Sequence, residues 1–486
     1  MIRHSCSAVV LFCSSLLLAS CSGVPKGGCV ANCGSGNATL SVVLTATPPS
    51  PVTQLSIQAF TATITGLKLT SSTGTDVVVP LNSAGYIAEF TRVTSDSIVL
   101  AAKFSIPAGT YTEAKVTFNA PRVTFCTQAN PGVAGCADGT LTTVSGLAGS
   151  ASITTNLSLG ANQQTGLALN ADVGAALTAT GQVITAVNLT AANVFTVNTL
   201  PPSTTATDLA AGQLSHVDDV MGLVTSASGS TLTIQTSSRG SITATATAST
   251  QFNCGSQDFS CVQVNAVAIV DAILNTDGSF TLTFYQPWPF GTSSVDVIEG
   301  VVTGVPDSIT DQFTIAVTDS VFASSGSLLN GQLNLGDQIR VSLVTPNPFQ
   351  IISKGLLIPV VTGGFEHATS AAAILPGQTV AFPVSSFAAQ SVATLGTAST
   401  SDLGLRFTRI TGVVGSSSSP VFSATAFPPY FGLTIPQQFQ TTSGRLSLDG
   451  LSNLASMSAG NTFSSAALYV GPPASPMFSA QSVRTR

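Results

Sequence analysis

Charge is what this sequence has least of. Lys, Arg, Asp and Glu make up only 7% of its 486 residues, against roughly 25% in ordinary soluble domains. Fifteen basic and 21 acidic residues give a net charge of −6. The basic residues stand singly, apart from Arg406 with Arg409 and Arg484 with Arg486. Nucleic-acid binding draws on a concentrated basic patch, so that class is excluded. Disorder is excluded from the other side: disordered chains are apolar-poor and charge-rich, whereas 44% of this chain is hydrophobic and its mean hydropathy is +0.44. Histidine is scarce, and beyond His4 only His216 and His367 remain. No Gly-x-Ser-x-Gly elbow, His-Glu-x-x-His pair, P-loop or Gly-x-Gly-x-x-Gly stretch occurs. One Trp and five Tyr are too few for the two aromatic girdles of a membrane β-barrel.

The first residues bear on the compartment. Arg3 supplies a short positive stretch, and an apolar run follows from Ala8 to Leu18, broken by Cys13, Ser14 and Ser15. A membrane-spanning helix takes about twenty apolar residues; this shorter run has the form of a signal-peptide core. It ends in Leu18-Ala19-Ser20-Cys21, which resembles the lipobox of bacterial lipoproteins. The resemblance implies cleavage before Cys21, lipidation of Cys21, and a membrane as partner through that lipid. A plain secretory signal with an Ala-x-Ala-like site is the alternative. Ser rather than Asp at position 22 is similar to lipoproteins sorted to the outer membrane, so the expected location is the cell envelope, lipid-anchored, at the outer membrane.

Cysteine usage agrees with an oxidising compartment. With Cys6 and Cys13 in the signal and Cys21 lipidated, six cysteines remain in three sequence-local couples: Cys29 with Cys33, Cys126 with Cys136, and Cys254 with Cys261. Six cysteines allow fifteen pairings, and locality is the only guide among them. A metal reading of Cys29 and Cys33 lacks further Cys or His nearby to complete four ligands. Neither a metal nor a cofactor is expected.

Strand signals dominate the rest. Thr39 to Leu44 and Leu55 to Phe60 alternate with a period of two, the pattern of a half-buried strand. Further strands are expected over Asp76–Leu81, Ser97–Phe104, Glu113–Phe118 and Arg122–Cys126. Asn170 to Gly181 is the one candidate helix. Pro201-Pro202-Ser203 marks a boundary. Beyond it lies a diffuse repeat: Val220-Met221-Gly222-Leu223-Val224-Thr225, then Val297-Ile298-Glu299-Gly300-Val301-Val302-Thr303, then Ile410-Thr411-Gly412-Val413-Val414. The expected order is a signal peptide over 1–20, a tether over 21–37, a β-sandwich over 38–200, a linker over 201–215, and β-barrel modules over 216–292 and 293–365. A β-rich third module follows over 366–486. The fold class is all-β: an N-terminal sandwich followed by two or three small barrels.

Two resemblances sharpen this. The Thr39–Ala46 strand, Ile64-Thr65-Gly66-Leu67-Lys68-Leu69 and the Ile106-Pro107-Ala108-Gly109-Thr110-Tyr111 turn resemble a domain-of-unknown-function family found after bacterial lipoboxes. That implies an immunoglobulin- or transthyretin-like sandwich. Where the family usually has Thr-Asp-Ala-Pro, this chain has Thr45-Ala46-Thr47-Pro48, which lacks the acidic residue. The repeated Gly-Val-Val elements and Leu335-Gly336-Asp337-Gln338-Ile339-Arg340-Val341 resemble a second uncharacterised family of small tandem β-barrel modules. Neither resemblance implies an activity.

The residues that could carry chemistry are few. His216 with Asp218 and Asp219 is the richest polar cluster, and a metal or hydrolytic site there competes with plain solvation at the end of a linker. Glu366-His367 reads as a loop. Asp296 and Glu299 stand three apart, which on a strand sends them to opposite faces. Aromatics concentrate in Phe284-Tyr285-Gln286-Pro287-Trp288-Pro289-Phe290, so Tyr285, Trp288 and Phe290 form a candidate partner-binding surface. The competing reading is a plug between neighbouring modules, and Phe427-Pro428-Pro429-Tyr430-Phe431 invites the same pair of readings. The expectation is a non-catalytic envelope lipoprotein that binds or scaffolds an envelope protein; the alternative is a carbohydrate-binding surface protein meeting polysaccharide through Trp288.

Overall fold

A computed structural model describes residues 36–129, 134–137, 139–200, 212–291, 295–356, 358, 364–391, 394–432, 437–441, 448, 451, 453–471 and 477–485. Cys21, Cys29 and Cys33 lie outside these residues, as does the expected 1–20 signal.

The chain is all-β. In the N-terminal part, one sheet runs in the order Phe195–Leu200, Gln164–Asp172, Asn37–Thr47, Ile98–Pro107. Asn37–Thr47 is parallel to Gln164–Asp172 and antiparallel to Ile98–Pro107. The second sheet is built on two long strands, Ile57–Ser71 and Gly109–Cys126, with shorter strands along them. Leu40, Val42 and Leu44 from the first sheet and Phe60, Ile64 and Phe118 from the second share one core.

Asn37–Thr47 is expected to be half-buried but is covered on both faces. Strand alternation sends Val42 and Leu44 into the N-terminal core, while Val43 joins Val99, Val217 and Val220 in the core of the next module. The outer face of the sheet is therefore an interface, which accounts for the unbroken apolar run Val42-Val43-Leu44. The expected helix over Asn170–Gly181 is absent: Gln164–Asp172 and Leu177–Thr180 are strands joined by a turn. Pairing with Asn37–Thr47 and Phe195–Leu200 outweighs a thin helical pattern.

The repeat seen in sequence is a repeat of topology. In the first copy, Gln213–Ser228, Thr231–Gln235, Ser241–Phe252, Val267–Asn275 and Phe280–Pro287 close a barrel. Its third strand pairs parallel with the fifth, and the fourth returns antiparallel to the first. Thr408–Ser418, Val421–Ala426, Gln437–Gln440, Thr462–Val470 and Met477–Thr485 close a second barrel with the same order and senses.

The middle copy corrects the expected barrel over 293–365. Its five equivalent strands are Val297–Val302, Gln312–Val321, Gln338–Leu343, Thr379–Pro383 and Gly396–Thr400. Four of the five pairings recur, with the same senses. The pairing between fourth and fifth strands does not occur among the described residues. Thr379–Pro383 pairs instead with Gly404–Arg406, and Gly396–Thr400 with Ser386–Ala388. The result is an eight-stranded sheet, a barrel of the repeat type opened along one seam. Its last strands lie beyond residue 365, so the stretch around 370–404 belongs to this copy.

The repeated glycine has one role in all three copies. A Cβ at Gly222 would lie 2.6 Å from the Gln235 carbonyl oxygen, at Gly300 2.7 Å from that of Ala316, and at Gly412 2.8 Å from that of Ala426. Each glycine lets the first strand press onto the second at a distance no side chain allows.

Cys126 with Cys136 and Cys254 with Cys261 form disulfides, with Cα atoms 5.4 and 6.4 Å apart. No helix among the described residues is long and apolar enough to cross a membrane.

Candidate functional site

A strand that sets acids within an apolar stretch places them inside the protein, where they must find partners. Three such strands converge here. Val217-Asp218-Asp219-Val220 interrupts the first strand of the first barrel, Val270-Asp271-Ala272 its fourth, and Ile298-Glu299-Gly300 the first strand of the middle copy. Around them gather Arg92 and Asp96 from the N-terminal part, Arg239 from the first barrel, and Asp319, Lys354 and Arg406 from the middle copy. Arg409 and Arg484 come from the third. Six cations and six anions of a charge-poor chain thus meet where all four units touch.

The geometry starts with a bulge. The ladder between Gln213–Ser228 and Val267–Asn275 slips between Val217 and Val220, so Asp218 and Asp219 have no partner in register. Asp219 sits at φ 56°, a left-handed conformation that Asp tolerates better than most residues. Its carboxylate meets Arg406 Nη2 at 3.0 Å, Arg409 Nη2 at 3.6 Å and Lys354 Nζ at 3.9 Å. Its carbonyl accepts hydrogen bonds from Arg92 and Arg406. Burial alone would raise the Asp219 pKa, but Arg406, Lys354, Arg409 and Arg92 outweigh it and hold the carboxyl below the ordinary range.

Glu299 and Asp319 face each other across neighbouring strands, a repulsive pair unless a cation intervenes. Arg92 Nη1 intervenes, 3.1 Å from Glu299 and 2.9 Å from Asp319. Arg406 Nε takes the other Glu299 oxygen at 2.9 Å. Burial still pushes the Asp319 pKa up. Asp96 is held by Arg239 at 2.7 Å and accepts from the Asp218 backbone N–H. Arg484 donates to the carbonyls of Val93, Thr94 and Asp96. Lys354, 1% exposed, pairs with Asp271 and lies 5.5 and 5.6 Å from the ring centres of Phe284 and Phe407.

Asp218 is the poorly compensated member. Burial pushes its pKa up to about 6, with His216 and Lys354 opposing and Asp271 and Asp96 adding to the rise. An acid raised in the folded state loses stability as pH climbs from its unfolded value toward its folded one, because only the unfolded chain ionises freely in that window. Asp218→Asn is therefore expected to stabilise the protein at pH 7 by on the order of 3 kcal/mol. The gain should fall away as pH drops toward about 4 and vanish by about pH 3, where both states hold the proton. Urea unfolding of variant and parent across that range measures it.

The chain matches no protein-family model and no curated protein.

The sequence-derived sites fall differently. His216, Asp218 and Asp219 do not sit solvated at the end of a linker: they lie on a barrel strand, and both aspartates are buried in the ion-pair cluster. Asp296 and Glu299 part company as strand alternation requires. Asp296 accepts from the Ala323 and Leu328 backbone and from Ser327, tying down a loop, while Glu299 enters the cluster. Tyr285 and Trp288 are 0% and 2% exposed, so they offer no partner-binding surface in this structure. Trp288 packs with Met221, Leu223 and Ile269 of the first barrel and with Val297, Ile352 and Ala381 of the middle copy. Phe290, half-buried, meets its edge at 5.3 Å. Among the described residues no group of three His, Cys, Asp or Glu side chains is arranged to hold a metal ion.

A cleft opens beside the cluster, with space of about 70 Å³ for water-sized contents. Its walls come from Pro48, Val52 and Leu55 of the N-terminal part, Val301 of the middle copy, and Pro428, Tyr430 and Phe431 of the third. Arg92, Glu89, Glu299 and Arg409 form its polar side. A wider space of about 370 Å³ lies elsewhere, between the N-terminal part and the middle copy, with Arg122 on its wall. Arg122 is paired to Asp337 at 2.6 Å. Sequence reading missed Arg92, Asp96, Lys354 and Arg406, although a charge inside an apolar strand in so charge-poor a chain is the signal that would have found their partners.

Proposed function

We propose that this chain is a non-catalytic lipoprotein of the cell envelope, held to the membrane by lipid on Cys21, in which tandem β-modules are joined into a single binding scaffold. The observation that carries the scaffold is the ion-pair cluster around Asp219, which draws side chains from the N-terminal part and from all three copies of the repeat. Buried ion pairs contribute little net stability against the cost of desolvating them, and their best-attested use is to fix one arrangement over others. A cluster at a four-way junction suits a protein that presents surfaces in a constant relation.

The lipobox-like Leu18-Ala19-Ser20-Cys21 and the disulfides Cys126–Cys136 and Cys254–Cys261 support an exported setting. The low charge of the chain supports contact with neutral envelope surfaces rather than polyanions. Carbohydrate recognition through Trp288 loses its footing, because a ring buried between two modules cannot stack on a sugar. Intact-mass measurement beside Cys21→Ser tests the anchoring. The expected result is a lipid-sized mass on a chain beginning at Cys21, lost in the variant. An unlipidated parent chain contradicts the proposal.

A further inference from the structure

We propose that Lys354 and Asp271 condense to a side-chain amide, a covalent bond between the first barrel and the middle copy of the repeat. The bond goes beyond the scaffold reading above and is read from peptides, so its outcome does not depend on whether Cys21 carries lipid.

The four-carbon stem of a lysine normally lets its ammonium reach water, yet Lys354 is buried end to end. It stands at φ 54° and is followed by Gly355 at φ 76°. Bulky side chains rarely accept that left-handed backbone, and strain of this kind gathers at functional sites. The turn delivers the amine across the seam to Asp271 on Val267–Asn275. There the ladder to Phe280–Pro287 slips between Asp271 and Ala272. Both partners thus sit at backbone irregularities, one on each side of the junction.

The surroundings suit condensation. Lys354 Nζ lies against Asp271 Oδ1, and the buried rings of Phe284 and Phe407 flank the amine at 5.5 and 5.6 Å. The Asp219 backbone N–H donates to Oδ1 at 2.7 Å, and Gln481 Nε2 reaches Oδ2 at 3.4 Å. The carboxyl is held through both oxygens with an amine beside it, the proximity that makes a bimolecular reaction unimolecular. A dry, aromatic-lined setting favours a neutral amine and acid over separated charges. It also withholds the water that would reverse the reaction. Of the cluster's cations Lys354 alone carries an amine; the others are guanidinium groups, which stay protonated and do not attack.

The step balances without a further reagent. A proton passes from Nζ to Asp271, the amine lone pair attacks Cγ, and the charge developing on Oδ1 meets the Asp219 N–H. The Nζ–Cγ bond forms and the Cγ–Oδ2 bond breaks. Of the three ammonium protons, one stays on the amide nitrogen and two leave with Oδ2 as water. The Asp271 side chain is 11% exposed, which gives that water a way out. One cation and one anion vanish together, so the cluster stays balanced.

Tryptic digestion of the reduced, denatured full-length protein, read by mass spectrometry, tests this. Trypsin separates residues 240–340 from 341–406, and Lys354 is the only internal site in either piece. An acylated Lys354 resists cleavage. The expected product is therefore a branched peptide, 240–340 joined to 341–406, lighter than its two parts by one water. Lys354→Arg keeps the cation but removes the nucleophile, and should release 240–340 unbranched. Asp271→Ala should release 341–354 by restoring cleavage at Lys354. The parent digest is decisive even if a variant fails to fold. A parent digest holding only unbranched 240–340 and freely cleaved Lys354, or a branch that persists in Lys354→Arg, would overturn the assignment.

Discussion

Asp219→Asn is expected to lower the unfolding free energy by about 3–5 kcal/mol, the usual cost of stripping one partner from a buried ion-pair group. The substitution keeps the size of the side chain, and Asn accepts the left-handed φ of 56° as readily as Asp does. The backbone carbonyl that Arg92 and Arg406 share is retained. What changes is one negative charge, leaving Arg406, Lys354 and Arg409 to repel one another in the interior. The exposed pair Lys68–Asp76, also close at 2.7 Å, is the contrast. There solvent screens the charges, and Asp76→Asn should shift the urea midpoint far less than Asp219→Asn. Urea unfolding followed by circular dichroism distinguishes the two.

The pH dependence of Asp219 has the opposite sign to that of Asp218. A carboxyl held below its ordinary range contributes stability above its unfolded pKa and loses it as pH falls through the folded one. Asp96, lowered chiefly by Arg239 and Arg409 against its own burial, acts with Asp219. Acidification therefore removes their contribution while relieving the strain at Asp218.

Trp288→Ala should cost a comparable 3–5 kcal/mol, roughly the range for truncating a buried ring. Truncation empties a site lined by Met221, Leu223 and Ile269 on one side and Val297, Ile352 and Ala381 on the other. The loss falls on the seam between first barrel and middle copy, so the barrel should open to proteolysis at lower denaturant than in the parent. Trp288→Phe should cost only part of this. Among the described residues the indole N–H has no acceptor, and removing an unmet donor offsets some of the lost packing. Limited proteolysis and urea unfolding of the two variants give the comparison. Equal losses would mean that the ring's bulk matters less than its nitrogen.

Much of the fold could be read from residues. Alternation at Thr39–Leu44 and Glu113–Phe118 marks strands, and the Gly222, Gly300 and Gly412 elements mark the opening strand of each copy. The open seam of the middle copy could not be read, because it depends on which distant strand reaches Thr379–Pro383 first, and nothing local in that sequence tells Gly404–Arg406 from Gly396–Thr400 as a partner. The cluster was half legible. Asp218 and Asp219 stand out by composition, but adjacency to a linker suggests solvation, and only tertiary packing against Arg92 and Arg406 reverses that. Trp288 shows the same limit: an aromatic run bounded by prolines reads equally as a surface or as a plug until its neighbours are known.

The central claim is that the cluster and the Trp288 seam hold the modules as one cooperative unit. Because Trp288 is the chain's single tryptophan, its fluorescence reports the seam between first barrel and middle copy, while far-UV circular dichroism reports every strand. Urea unfolding of the intact protein should give coincident transitions by the two probes, and Asp219→Asn should shift both to lower urea. A parent protein in which the Trp288 signal is lost well before the circular dichroism would show independently unfolding modules and contradict the account.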